Sequence, residues 1–247
     1  MKKLLATVVG AVVGFVAMQT VTRGSLDLYS RDKDVRPPSI EALIASPPAE
    51  PMYAALKSYF PEDGKLLRDS MEKMLAEGVS DDEGSQKMMS VGAEIRRRHA
   101  PNLKTAPDAS LVEVIEAQLQ LLKHFENDPA LCNQVFMYGP IAIPKEQQAK
   151  LIETVKLSAT ILFRAMHEGD AFPVERGAAT DQDWGKLMEV FLSSGGTEEE
   201  IALITDPNVQ DSALCGAGLR FLRTASFAEF EGADRTRAEI AYLINGG

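Results

Sequence analysis

PKEQQAKLIETVKLSATILFRAMHEG, residues 144–169, is the stretch that decides the fold class. Leu151, Ile152, Val155, Ala159, Leu162 and Met166 recur at spacings of three and four, so a helix gathers them on one face. A strand would scatter the same residues over both of its faces. Pro144 marks a first helical position, where a missing N–H costs nothing, and Gly169 marks the stop.

The same period continues in both directions. Toward the N-terminus, Leu67, Met71 and Met74 or Leu75 form a helical stripe that closes at Gly78. Met88, Val91 and Ile95 form another, stopped by Pro101. Ser110-Leu111-Val112-Glu113 has the spacing of a capping box. It predicts a helix with Leu111, Ile115, Leu122 and Phe125 inward and Val114 and Leu121 on the flank. Toward the C-terminus, helices are expected at about 182–193, at 198–205 behind a Thr197–Glu200 capping box, at 210–225 and at 234–244. No run alternates as a sheet requires, and aromatics at 6% are thin for a β core. The expected fold is all-α, a multi-helix domain with orthogonal or bundle-like packing.

Ahead of this domain, residues 4–22 (LLATVVGAVVGFVAMQTVT) carry no charge and follow Lys2 and Lys3. Nineteen helical residues span roughly 28 Å, about the hydrocarbon thickness of a bilayer. A cleaved signal peptide would need a small-x-small site, but the candidates near Ala17 and Gly24 put Phe15 or Thr22 at the −3 position. An uncleaved signal anchor over residues 1–22 is the expectation, in contact with membrane lipid through residues 4–22. Gly10 and Gly14 make a GxxxG that would let two such helices pack closely. A polar tether (residues 23–38) follows, then helical subdomains at 39–106 and 107–247 divided near the PNLKTAPDAS linker.

Charge is unevenly spread. Residues 1–36 carry six basic and three acidic groups, whereas residues 107–247 carry 11 basic and 22 acidic. The acidic half lacks the Lys/Arg footprint that nucleic acid requires. The basic strip at Arg23, Arg31, Lys33 and Arg36 suits anionic head groups.

Both cysteines lie in the same five-residue frame, Asp128-Pro-Ala-Leu-Cys132 and Asp211-Ser-Ala-Leu-Cys215. In an exported domain an even pair is expected to form a disulfide; the alternative is two small buried thiols, and in a cytosolic domain the cysteines would stay reduced.

Chemistry-bearing motifs are weak. His99, His124 and His167 lie far from one another and from the cysteines, so no zinc spacing forms and no cofactor is expected. His99 and His167 stand at helix C-termini, where cations suit the dipole. Ser70-Met-Glu-Lys73 has the SxxK spacing of penicillin-binding proteins and class A β-lactamases. Ser80-Asp81-Asp82 and Lys104-Thr105-Ala106 only faintly echo that group's later elements, at spacings far too short. Asp181-Gln182-Asp183 has carboxylates for calcium but not the EF-hand pattern. Gly216-Ala217-Gly218 lies inside a helix, where a packing notch outranks a phosphate loop. The sequence therefore leads to an exported, single-pass inner-membrane protein that binds another envelope protein without catalysis. The alternative is a peptidoglycan hydrolase of lysozyme-like or serine type.

Overall fold

The structure is a computed structural model that describes residues 40–41, 50–79, 81–138, 143–205 and 213–246. The expected anchor with Gly10 and Gly14, and the tether, lie outside the described residues. Among the described residues ten α-helices are bounded: α1 Glu50–Tyr59, α2 Pro61–Glu77, α3 Asp81–His99, α4 Asp108–Lys123, α5 Pro129–Tyr138, α6 Lys145–Ala171, α7 Asp181–Ser193, α8 Glu198–Thr205, α9 Leu214–Phe227 and α10 Ala233–Asn245. A 3-10 helix, Ala100–Lys104, joins α3 to the α4 linker. Among the described residues there is no strand, and no helix is long and apolar enough to cross a membrane.

Helix α4 is the centre of the packing, touching α6, α9 and α10. Nine of its residues are buried, from Ser110 to Leu122. A helix apolar on most sides must be covered on most sides, so the stripe expected from spacing understates it. One core gathers Ile115, Leu122, Phe136, Leu187, Phe191 and Phe221 from α4, α5, α7 and α9. A second gathers Leu56, Ile95, Leu103, Leu111, Phe163 and Met166. Full burial of such side chains is worth roughly 1.5–3 kcal/mol each. This second core takes residues from both sides of position 106, where the subdomain boundary was expected.

Several expected boundaries shift for identifiable reasons. Pro144 is the residue before α6 rather than its first, and Gly169 lies inside the helix, which runs on to Ala171. A Cβ on Gly169 would collide with the Asn102 carbonyl oxygen; the glycine is there to let the 3-10 helix approach α6. The Ser110–Glu113 capping box does not form. Helix α4 starts at Asp108 behind Pro107, with no side-chain cap, and Ser110 donates to Glu168 instead. Glu113 pairs with Arg164. The Thr197–Glu200 box does form: Glu200 N donates to Thr197 Oγ1 at 3.1 Å, and Thr197 N to Glu200 Oε2 at 3.0 Å. Gly78 ends α2 in the left-handed region, φ 60°.

Candidate functional site

The cysteines come together. Cys132 stands in the first turns of α5 and Cys215 in the first turn of α9, with Cα atoms 5.6 Å apart, inside the range a disulfide requires. Both side chains are buried in the first core. The shared frame explains part of this. Asp128 Oδ1 accepts from Leu131 N at 3.1 Å, and its carbonyl accepts from Cys132 N at 2.8 Å, which starts α5 with Cys132 turned inward. Asp211, its counterpart, lies outside the described residues. Gly218, one turn beyond Cys215, is the expected packing notch, since a Cβ there would collide with the Phe136 ring. Gly216 meets nothing and is not part of it.

The densest polar cluster was not legible as a motif. Within ADRTRAE, residues 233–239, four charged residues reach four different partners. Asp234 accepts from Arg176 Nε at 3.2 Å. Arg235 donates to both oxygens of Asp183, at 3.0 and 2.8 Å. Arg237 grips Asp108 with two bonds of 2.7 Å, and its Nη1 also donates to the carbonyls of Ala228 (2.9 Å) and Ala225 (3.4 Å). Glu239 faces Lys104, 3.2 Å away. These are bidentate or carbonyl-clamping arginines, a geometry that makes charge-assisted hydrogen bonds strong.

Asp183 also closes the start of α7. Thr180 Oγ1 accepts from Asp183 N, while Asp183 Oδ2 accepts from Thr180 N and Oγ1. The Arg235 guanidinium, helped by Thr180, holds the Asp183 carboxyl far below the usual carboxylate range against the opposing effect of burial. The Asp181 and Asp183 carboxylates are thereby split: Asp183 is buried and spent on Arg235, while Asp181 faces solvent.

A second cluster surrounds Phe60, at the junction of α1 and α2. Asp63, buried in the first turn of α2, accepts from His99 Nε2 at 2.6 Å and from Arg98 Nη1 at 2.5 Å. The His99 ring lies 3.9 Å from the Phe60 ring, and His167 meets Phe60 edge-on at 6.0 Å and Tyr59 at 5.3 Å. His99 and His167 thus fasten α3 and α6 to the α1–α2 corner, a use beyond the helix-end role expected for them. His124 meets Thr154 Oγ1 at 3.1 Å. Arg96, in the same last turn of α3 as His99, caps α10: its Nε donates to the Asn245 carbonyl at 2.7 Å, at the C-terminus of that helix. Burial, added to by Arg97, pushes Arg96 down to about 10, still charged at neutral pH.

The SxxK arrangement does not assemble. Ser70 Oγ donates to the Leu66 carbonyl of its own helix at 2.8 Å, and Lys73 reaches outward toward Glu77. Lys104 sits over the Tyr242 ring, 4.0 Å from its centre, beside Glu239. Among the described residues no group of three His, Cys, Asp or Glu side chains is placed to hold a metal ion. Compared with protein families, curated proteins and solved structures, the chain finds no match.

Proposed function

We propose that the chain is an exported, membrane-anchored helical domain of the bacterial envelope that acts by binding another protein and not by catalysis. The observation that carries this reading is the Cys132–Cys215 pair at 5.6 Å between Cα atoms, buried and joining two helices 83 residues apart. A long-loop staple of this kind persists in oxidising compartments and is rare in the cytosol. The uncharged segment 4–22 behind Lys2 and Lys3 supports delivery to that side as a single-pass inner-membrane protein. The binding role is supported by where the polar chemistry goes. The Asp63, Asp108 and Asp183 carboxylates and the Arg176, Arg235 and Arg237 guanidiniums are engaged in joining helices.

Differential thiol labelling in intact cells tests the reading. Both cysteines are expected to resist alkylation in the unfolded chain until a reductant is added. Free labelling of both without reductant would place the domain in a reducing compartment and discard the envelope assignment.

A further inference from the structure

The segment between α6 and α7 combines two properties that seldom occur together. It carries no helix from Phe172 to Thr180, yet its backbone is pinned at Phe172, Val174 and Thr180. Phe172 N donates to the Glu168 carbonyl and Val174 N to the Thr105 carbonyl, both at 2.8 Å. The Arg176 side chain, only 4% exposed, pairs with Asp234 and donates to the carbonyls of Ala106 at 2.7 Å and Lys104 at 3.2 Å. Ala179 is buried, and Thr180 closes the segment as the α7 cap. On this fixed frame Phe172 is 69% exposed and Val174 38% exposed, with Pro173 stiffening the link between them.

Ordering a loop usually serves to bury its apolar side chains; here an arginine side chain is buried and the aromatic ring is left in water. The arrangement has the properties of a binding anchor. An aromatic side chain held on a rigid backbone has less ordering entropy to lose on association, and such anchors dominate interface energetics. Within the segment itself the exposed charge is of one sign. Asp170, Glu175 and Asp181 are exposed, and Arg176, the only basic residue from 170 to 185, is turned inward. Nucleic acid and anionic lipid are repelled by such an edge; a basic partner is attracted.

We infer that Asp170–Glu175 is a docking edge for a basic segment of a partner protein, one that sets an apolar side chain against Phe172 and Val174 and Lys or Arg against Asp170 and Glu175. This rests on reading the domain as an interaction module and names the partner class for it.

The test uses the full chain in nanodiscs of zwitterionic lipid, with empty nanodiscs as blank. The probe is a synthetic peptide alternating Lys with Leu and Phe, compared with its Glu-for-Lys counterpart. The basic peptide is expected to bind at least tenfold tighter than the acidic one. Phe172→Ser, an exposed change that leaves the fold intact, should weaken it about tenfold, whereas Leu157→Ser, 62% exposed on α6, should not. Equal affinity for the wild type and Phe172→Ser, or for both peptides, overturns the inference. A benzoylphenylalanine at position 172 that crosslinks to a second copy or to residues 23–36 of the same chain overturns it as well. Any of these failures alongside oxidised cysteines in cells would leave the envelope reading standing; reduced cysteines with intact peptide binding would do the reverse.

Discussion

Asp183 shows how much one carboxylate can organise. It closes α7 through Thr180, anchors Arg235, and leaves so little room that Gly232, at φ 97°, could not carry a Cβ without striking its carboxylate. Because the folded state holds this carboxyl below its ordinary value, its contribution is fully present above the unfolded carboxylate range, about pH 4. That contribution is lost as pH falls from there through the folded value. Asp183→Asn keeps the shape but removes the charge, leaving Arg235 without its ion partner. We expect it to lower stability at pH 7. The gap to wild type should narrow as pH drops below about 4, measured by urea unfolding across the pH range. A gap constant down to pH 2 would show that the ion pair is not the source of the stability.

At the scale of elements, α10 is fastened by charge as much as by its apolar face. Arg237 reaches across to the first residue of α4 and to two carbonyls at the end of α9, so one side chain joins three helices. Removing it leaves Asp108 and the Ala228 carbonyl without their shared donor. Arg237→Met, which keeps most of the volume, should destabilise by about 1–3 kcal/mol, whereas Lys65→Met, in an exposed i,i+4 pair with Asp69, should leave stability nearly unchanged. Chemical denaturation of the two variants separates these cases. Comparable losses would mean that α10 is held by its apolar side alone.

For the whole molecule, the decisive feature is that the cysteine pair lies in the interior. Cys132 is 0% and Cys215 4% exposed, so a reductant reaches the sulfurs only when α5 and α9 separate. On the loop-entropy account a link closing 83 residues contributes about 4 kcal/mol, and commonly less in practice. Reduction by dithiothreitol should therefore be slow in native buffer and accelerate steeply through the denaturant transition, followed by thiol labelling against time. A rate independent of denaturant would mean that the helices around the pair open locally, without global unfolding.

The all-α class was legible in the sequence because helical periodicity is a local property: the spacing of Leu151, Val155 and Ala159 fixes which face turns inward whatever covers it. The Thr197–Glu200 cap and the Gly78 stop were legible for the same reason, each depending on neighbours three or four residues away. Tertiary structure decided what distance in sequence hides. Ser110 surrendered its expected cap to Glu168, Gly169 was held within α6 by the approach of Asn102, and Phe60 drew in two histidines from separate helices. The ion pairs of α10 link residues 52 and 129 positions apart, and the cysteine pair 83. Periodicity determines a helix's inward face, but only packing decides which charges end up opposite one another once water has been excluded.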